Sequence, residues 1–362
     1  MTYICSVGLG IPKYQLNQNE VKQLVQHLFI NSERQINRLL PVFENAQIDN
    51  RQFVVPSTWF LEDHSFKERN DLFMKLAKHY ALKAMDDCLT NPDFLLETVA
   101  YQDIDMIIFV SSTGIAAPTL DTHFMNERPF RQDVQRMPLW GLGCAGGAGG
   151  LARARDWLTA NPDKTALIVC CELCSLTFQK GDVTKSNIVG TALFGDGISA
   201  ALAVGAQSPL VKQKKGGAPK LLQSHTYTKK DSLSVMGWNV TNAGFEVIFS
   251  KSIPALVRSF WKEHIQLFLA NHELTEADIF AYIAHPGGRK VIEAMQKVLH
   301  ADPRKFCYSR EILKKHGNMS SSTVLYVLRE WMNEKIPTGE KSIISALGPG
   351  FSSELILLEW ES

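Results

Sequence analysis

The sequence contains no apolar run long enough to cross a membrane and no excess of charge of one sign. Its longest apolar stretches, such as 106–110 and 166–171, are far shorter than the about 20 residues of a membrane-spanning helix. Lys plus Arg total 38 and Asp plus Glu total 37, so no nucleic-acid-binding surface is expected. The first nine residues lack the basic and apolar segments of a secretory signal, which predicts a cytoplasmic location.

The sequence also gives no support for disulfides, metal sites or nucleotide sites. The seven cysteines are an odd number, and Cys170, Cys171 and Cys174 lie on one apolar segment, which favours free thiols. Their spacing lacks the paired ligands of a zinc site. There is no Gly-x-Gly-x-x-Gly in a dinucleotide-binding setting, no Walker loop and no His-Glu-x-x-His motif. We therefore predict no metal ion and no cofactor.

What the sequence does contain is a globular composition and a weak internal repeat. Hydrophobic residues make up 45% and charged residues 21% of the 362 residues, enough for a sizeable core. Strand-like and helix-like segments recur in the same order, the first three pairs at an offset of 174 or 175 residues. The paired segments are 103–110 with 278–284, 144–157 with 318–331, 166–169 with 341–344, and 198–202 with 354–358.

This repeat predicts an α/β fold of two halves related by pseudo-two-fold symmetry, each with a sheet covered by helices. The Pro-, Gly- and Lys-rich segment 207–220 is the natural connector, which divides the chain into residues 1–215 and 216–362. We interpret residues 29–75 as helices and loops added at the entrance to the site. The alternative is that these echoes arise by chance, as they can in any α/β protein.

Cys144 is the cysteine best placed for chemistry. Six glycines between positions 141 and 150 leave room for a substrate carbonyl to approach its sulfur. A helix predicted over residues 145–158 would point its positive end at this sulfur and favour the thiolate at neutral pH. The alternative is a buried cysteine packed at a tight turn.

His285 and Asn318 complete a candidate set. His285 follows an apolar strand and precedes Pro286 and two glycines, at the carboxyl end of a strand where α/β sites are usually built. Asn318 begins the helix that mirrors the helix after Cys144. The alternatives are a core histidine with a backbone partner and a helix N-cap. Together, a thiolate can accept an acyl group while imidazole and amide N–H groups hold an enolate or oxyanion.

Five motifs in order resemble those of the type III polyketide synthases, the chalcone synthase-like branch of the thiolase-fold condensing enzymes. The motifs are WGLGCAGG (140–147), GTALFGDG (190–197), IAHPGG (283–288), HGNMSS (316–321) and GPG (348–350). The resemblance runs from about residue 100 to the C-terminus. It implies a homodimer of five-layered α/β/α/β/α subunits that uses coenzyme A thioesters as substrates, with no carrier protein and no cofactor.

The resemblance also implies residue roles. Cys144 would carry the acyl group, and His285 and Asn318 would hold the malonyl thioester carbonyl. Phe194 would be the gatekeeper between the coenzyme A tunnel and the cavity. The alternative interpretation is a core aromatic residue that precedes a turn. The second gatekeeper phenylalanine of the plant enzymes falls on Val247, which predicts a wider gate.

Alignment to the family suggests further pocket positions, most of them small. These are Ser112, Thr113, Ala117, Cys174, Thr177, Gly348, Pro349 and Gly350, beside Phe194 and Val247. Small side chains lining the pocket leave a large cavity volume. We therefore hypothesise a medium to long fatty acyl-CoA starter, extended with malonyl-CoA to alkylpyrone or alkylresorcinol-like products. Arg38 and Lys290 are candidates for contacting coenzyme A at the entrance, although exposed basic residues are usually only solvated.

Other classes remain open on the sequence. A ketoacyl carrier protein synthase of the third kind uses the same Cys, His and Asn but condenses only once. A non-catalytic acyl-CoA-binding homologue would keep the fold without turnover. A 3-hydroxy-3-methylglutaryl-CoA synthase would need a catalytic glutamate, and Glu127, the nearest one, has no motif around it.

Overall fold

The computed structural model describes residues 1–29 and 32–361. The strands in these ranges are β1 (Thr2–Leu9), β2 (Tyr14–Asn17), β3 (Asn50–Phe53), β4 (Met106–Ser111), β5 (Gln135–Trp140), β6 (Thr165–Leu173), β7 (Asp196–Gly205), β8 (Ala218–Thr228), β9 (Met236–Thr241), β10 (Gly244–Phe249), β11 (Ile279–Ala284), β12 (Lys341–Gly348) and β13 (Ser352–Glu361). The helices are α1 (Gln18–Leu28), α2 (Glu33–Asn37), α3 (Pro41–Asn45), α4 (Phe66–Thr90), α5 (Leu120–Glu127), α6 (Gly146–Ala160), α7 (Lys185–Leu193), α8 (Ile253–Leu256), α9 (Lys262–Asn271), α10 (Arg289–Val298), α11 (Cys307–His316) and α12 (Thr323–Met332).

Nine strands form one mixed sheet in the order β11-β12-β13-β8-β1-β7-β6-β4-β5. Its two halves share one pairing pattern. In the first half β4 is parallel to β6, and β6, β7 and β1 follow as antiparallel neighbours. In the second half β11 is parallel to β12, and β12, β13 and β8 follow in the same way. This pattern confirms the predicted repeat, and β5 is an extra parallel strand at one edge.

Helices cover both faces of the sheet and define the layers of the fold. The repeat-related helices α6 and α12 contact each other and strands of both halves, so they form the central layer. Helix α4 contacts β1, β6 and β7 of the first half, while α9 and α11 contact β13 and β11 of the second. Strand β6 reads TALIVCCEL and is buried throughout, as expected for a strand covered on both faces. The structure confirms the predicted α/β thiolase-like fold.

The close approach of the central helices depends on glycine. A Cβ on Gly147 would lie 2.2 Å from the carbonyl oxygen of Ser321, and one on Gly146 would lie 2.6 Å from Val110 Cγ1. The small residues after Cys144 therefore let the start of α6 lie directly against the start of the segment that leads into α12. This contact brings the two halves together at the candidate site.

Residues 14–29 and 32–53 form a cap beside α7. Helix α1 begins with a capping box, in which Asn17 Oδ1 accepts a hydrogen bond from Glu20 N–H and the Glu20 carboxylate accepts one from Asn17 N–H. Val21 and Val25 of α1 pack with Phe43, Phe53 and residues of α7 in one apolar cluster.

The predicted added segment 29–75 is only partly correct. It contains α2, α3 and β3, and its positions 30 and 31 lie outside the described residues. However, α4 begins within it at Phe66 and is a main element of the fold that packs on the sheet. Across residues 1–29 and 32–361, no helix combines the length and apolar character needed to cross a membrane.

Candidate active site

Cys144 lies on a tight turn between β5 and α6. Gly141 and Gly143 have φ values of 87° and 49°, in the left-handed region that favours glycine. Cys144 is the middle residue of a short 3-10 turn, and the α-helix begins at Gly146, one residue later than predicted. The Gly143 N–H donates to Ser112 Oγ at 3.0 Å, which fixes the turn against the loop after β4.

Asn318 follows the end of α11 and faces Cys144 from the other half. Its Oδ1 accepts a hydrogen bond from the Ser320 N–H at 2.8 Å, so its Nδ2 group is directed at Cys144 Sγ, at 3.8 Å, and at the Gly287 carbonyl oxygen, at 3.5 Å. Because α12 begins only at Thr323, Asn318 is not the N-cap of that helix. Its amide donors are thereby presented beside the sulfur.

His285 lies directly after β11, and its N–H donates to the Ser345 carbonyl oxygen at 2.7 Å. Its side chain is buried, and neither ring nitrogen has a hydrogen-bond partner among the described residues. The neighbouring Gly287 connects it to Asn318, because the Gly287 N–H donates to the His285 carbonyl while the Gly287 carbonyl accepts from Asn318. Burial lowers the pKa of His285 to about 3, so the ring is neutral with one N–H to donate.

The predicted thiolate of Cys144 does not match the structure. Burial raises the pKa of the Cys144 thiol to about 12, although hydrogen bonds from Ser320 and Asn318 lower it and the negative charge of Glu172 raises it further. Cys144 is only 6% exposed, and removing a thiolate from water costs more than these contacts return. Cys144 is therefore a thiol at neutral pH in the free protein.

A buried carboxyl group that sequence reasoning missed lies behind Cys144. Glu172 accepts hydrogen bonds from Ser112 N–H at 3.1 Å, Thr113 Oγ1 at 3.0 Å and Ser321 Oγ at 2.6 Å. Burial raises its pKa to about 7. It joins the loop after β4 to the segment after Asn318, and a glutamate in the otherwise apolar β6 was the available signal.

Five of the ten predicted pocket residues line two cavities beside Cys144. A small cavity over the sulfur is lined by Cys144, Phe194, Val247 and Pro349, among others. Phe194 and Val247 also line a largely apolar cavity with about 580 Å³ of space free of protein atoms, its open mouth included. Its walls include the predicted Cys174 and Thr177, and also Leu16, Val21, Leu24, Val25, Leu28, Phe53 and Phe60, which sequence reasoning did not single out.

A larger, basic cavity lies on the other side of Phe194. It holds about 1460 Å³ including its open mouth, and it reaches Leu193 and Gly287 beside the site. The predicted Arg38 and Lys290 line it. Three further basic residues that were not predicted line it as well, namely Lys185, Lys251 and Arg289.

The remaining predicted positions lie elsewhere. Ser112 is buried under the Cys144 turn, and Thr113 binds Glu172 while lining a small side cavity with Phe66 and Phe245. Gly348 packs under the Cys144 turn, where a Cβ would lie 2.5 Å from the Leu142 carbonyl oxygen.

Gly350 and Ala117 also lie outside the cavities around Cys144. The Gly350 carbonyl accepts a hydrogen bond from Ser232 Oγ. Contrary to the prediction, Ala117 lines neither large cavity; its neighbours Ile115 and Ala116 line a groove beside Trp140 at the edge of the sheet.

Comparison with known families agrees with this fold. Residues 57–208 match the N-terminal domain of the chalcone and stilbene synthases, and residues 224–360 match the C-terminal domain of the same family. The chain therefore belongs to the chalcone and stilbene synthase family. It is a type III polyketide synthase, a decarboxylating acyltransferase that uses coenzyme A thioesters.

Individual relatives cover nearly the whole chain. A Bacillus subtilis (strain 168) protein, whose name assigns it provisionally to the chalcone synthases, is 45% identical over 362 residues, 100% of this chain and 99% of its own. A 1,3,6,8-tetrahydroxynaphthalene synthase of Streptomyces peucetius subsp. caesius is 33% identical and covers 99% of this chain and 93% of its own. The crystal structure of 1,3,6,8-tetrahydroxynaphthalene synthase from Streptomyces coelicolor A3(2) matches with a TM-score of 0.89, at 28% identity and 99% of both chains.

Proposed function

We propose that this enzyme loads a medium to long fatty acyl group from coenzyme A onto Cys144, extends it with malonyl-CoA and releases an alkylpyrone or alkylresorcinol-like product. The observation that carries this proposal is the apolar cavity that starts at Phe194 and Val247 beside Cys144 and continues to α1. Such a cavity suits an alkyl chain, because its burial gains about 25 cal/mol for each Å² of apolar surface.

The length of the cavity supports a chain rather than a small ring. Val21, Leu24, Val25 and Leu28 lie along one face of α1 and line its far wall. Leu28 follows Val21 by seven positions, which is roughly 10 Å at the helical rise per residue. An alkyl chain attached at Cys144 could therefore extend past Phe194 along this helix.

The basic cavity is the proposed site of the coenzyme A phosphates. Among the described residues, Arg38, Lys185, Lys251 and Lys290 form no ion pair with a carboxylate, whereas Arg289 lies 3.6 Å from Glu293. Unpaired basic groups around an open cavity favour an anionic ligand. The thioester end of the ligand would then enter toward Leu193 and Cys144.

The first chemical step we propose is acyl transfer. Cys144 Sγ attacks the starter thioester carbonyl while its proton passes to His285, whose ring nitrogens are unpartnered, and then to the departing coenzyme A sulfur. Because burial raises the thiol pKa, the proton leaves only as the new carbon–sulfur bond forms. Neither partner then carries a net charge before or after the step.

Extension uses the same groups. Malonyl-CoA loses CO₂, and the electrons of the broken carbon–carbon bond move onto the thioester oxygen, where Asn318 Nδ2 and the His285 N–H hold the enolate. The enolate carbon attacks the acyl carbonyl on Cys144, the carbon–sulfur bond breaks and the sulfur takes up a proton. The extended chain, now a coenzyme A thioester, is transferred back to Cys144 Sγ with release of coenzyme A, and a second malonyl-CoA extends it in the same way. An enol oxygen of the resulting chain then attacks its own thioester carbonyl and expels coenzyme A as the pyrone forms.

We further propose that the enzyme acts as a homodimer joined at the β5 edge of the sheet. Strand β5 pairs only with β4 among the described residues. Beside it, Trp140 is 54% and Ile115 is 45% exposed, which leaves an apolar surface next to an open strand edge.

The experiment for this function is a product assay. Purified protein is incubated with radiolabelled malonyl-CoA and a series of acyl-CoA starters from acetyl to palmitoyl, and the products are identified by mass. We expect alkylpyrones whose yield rises from acetyl to the medium-length starters. Products from malonyl-CoA alone, or turnover only with aromatic starters such as coumaroyl-CoA, would contradict the proposed starter.

A further inference from the structure

Helix α7 is the wall between the two large cavities. Asn187, Gly190 and Thr191 face the apolar cavity, whereas Lys185 and Val189, with their neighbours Ser186 and Leu193, face the basic cavity. Phe194 follows the last residue of the helix and lies where the cavities approach Cys144. The placement of the C-terminal end of α7 therefore sets the position of the gate.

The last carbonyl groups of a helix have no partner within the helix, and buried ones need partners from elsewhere. In α7 every one of them has such a partner. Arg51 Nη1 donates to the carbonyl oxygens of Thr191 and Phe194, the latter at 2.9 Å, and Gln18 Nε2 donates to that of Ala192 at 3.0 Å. The Leu193 carbonyl accepts the backbone N–H of Asn318 at 2.8 Å.

The side chain of Arg51 also packs directly against the segment that carries Asn318. Phe194 and Asn318 form a parallel bridge, flanked by Gly195 and Gly317. A Cβ on Gly317 would lie 2.7 Å from Arg51 Cδ, and one on Gly195 would lie 3.3 Å from Arg51 Cβ. The aliphatic part of Arg51 thus covers both sides of the bridge between the gate and the catalytic amide.

Arg51 is fully buried and forms no ion pair at hydrogen-bond distance with a described carboxylate. Burial lowers its pKa to about 9, with the charge of Asp196 acting in the opposite sense, and the group remains charged at neutral pH. A buried charge held mainly by carbonyl and amide oxygens is costly.

Gln18 connects this group to the wall of the apolar cavity. It is the first residue of α1, and its Oε1 accepts a hydrogen bond from Arg51 Nη2 at 2.7 Å while its Nε2 donates to the carbonyls of Phe43 and Ala192. The chain of contacts therefore runs from α1 through Gln18 and Arg51 to the end of α7 and the backbone of Asn318.

We propose that Arg51 is a positioning residue that holds the C-terminal end of α7, and through it both the Phe194 gate and the Asn318 amide, in place for the decarboxylation of malonyl-CoA. The inference rests on the proposed function, in which Asn318 serves decarboxylation and extension whereas acyl loading requires Cys144 and His285. Loosening the end of α7 should therefore slow one step and spare the other.

The test is the substitution Arg51→Lys. It keeps the positive charge but removes the planar guanidinium group, whose several N–H donors bind several acceptors at once. Acyl loading is measured as radiolabel transferred from decanoyl-CoA to the protein, and decarboxylation as CO₂ released from malonyl-CoA, both per folded protein. We expect loading within about twofold of wild type and decarboxylation reduced by about 10²-fold, the scale on which small displacements act.

A matched control is Arg329→Lys. Arg329 Nη1 also donates to a backbone carbonyl, that of Val7, and binds Asp87, but it lines none of the cavities. The control should lose thermal stability without changing the ratio of the two rates. If Arg51→Lys lowered both rates by one common factor, its role would be structural only and the inference would be wrong.

A second variant keeps the test decisive if Arg51→Lys does not fold. Gln18→Ala removes one acceptor of Arg51 and the donor to Ala192, so decarboxylation should fall by about fivefold, the weight of one hydrogen bond, with loading preserved. An unchanged ratio in this variant would equally overturn the inference. A wild-type protein that neither loads nor decarboxylates would overturn the proposed function itself, which separates the two failures.

Discussion

The protonation state of Cys144 illustrates how burial and catalysis compete at a single residue. Because burial raises the thiol pKa, only a small fraction of the thiol is ionised at pH 7, and that fraction grows about tenfold for each pH unit below the pKa. We expect the rate of iodoacetamide labelling of Cys144 to rise in this way from pH 6 to 9. The measurement uses a Cys307→Ser background, because Cys307 is exposed whereas the other cysteines are buried.

A preformed ion pair of thiolate and imidazolium would behave differently. It would label at a rate independent of pH between 6 and 8, and such a plateau would contradict the neutral pair that the burial of Cys144 and His285 implies.

Asn318 is the residue whose removal should separate the chemical steps most cleanly. Asn318→Ala removes an N–H donor beside Cys144, and loss of one such donor costs about 10²–10³ in rate. We expect malonyl-CoA decarboxylation to fall by this factor while acyl loading of Cys144 is largely kept. The control Asn239→Ala alters an exposed asparagine and should change neither step. Comparable decarboxylation by Asn318→Ala would refute the assigned role.

Among elements, α1 is expected to set the length of the starter. Leu24→Trp would add bulk to the wall of the apolar cavity at a partly exposed position, where the fold should tolerate it. Turnover of long acyl-CoA starters should fall by about tenfold or more, while acetyl-CoA turnover stays within about twofold. The reason is that a difference of one or two methylenes in pocket size already changes kcat/KM by about 10-fold or more. Gln26→Trp on the outward face of α1 is the control. An unchanged preference for long starters would argue against the cavity as the alkyl site.

The sequence predicts elements that a pattern of neighbouring residues indicates. It does not predict elements whose role depends on contacts with residues far away in the chain. The glycines around Cys144 and the strand before His285 are local signals, and both residues lie where the pattern predicted. The role of α1 depends on contact with α7, which lies more than 150 positions further along the chain. Arg51 lies in the polar segment 50–52, which resembles a solvated strand, and its burial depends on packing against Gln18, the end of α7 and α11, which lie far from it in the sequence.

The charge of Cys144 was predicted incorrectly for a related reason. The helix that begins at Gly146 is visible in the sequence, but the depth at which the sulfur lies is not. Burial acts on the thiolate more strongly than the helix end does, so the sign of the pKa shift depended on information that only the packed structure holds.

In the whole molecule, the three candidate catalytic residues come from both halves. The first half contains Cys144 and the second contains His285 and Asn318, and the contact between the repeat-related helices α6 and α12 brings Asn318 Nδ2 to 3.8 Å from Cys144 Sγ. The spacing of the repeat was sufficient to predict this meeting. The depth and direction of the cavities were not predictable, because each depends on side chains from four or more separate segments.

The open β5 edge leads to a prediction about assembly. Sedimentation equilibrium should give twice the 40.5 kDa mass of the chain, because the edge strand and the apolar groove beside it are left uncovered in one copy. Trp140→Glu should shift the protein toward the monomer, whereas Leu233→Glu, at an exposed leucine elsewhere, should not. A monomeric wild-type protein would contradict the proposed dimer.

Intact-protein mass spectrometry can show whether the thiol of Cys144, the imidazole of His285 and the carboxamide of Asn318 act on one shared thioester. Incubation with decanoyl-CoA should add one decanoyl group on the peptide that contains Cys144, and subsequent malonyl-CoA should discharge it as extended products. Asn318→Ala should stop at the decanoyl adduct. Acylation on another residue, or discharge by Asn318→Ala at the wild-type rate, would contradict the account.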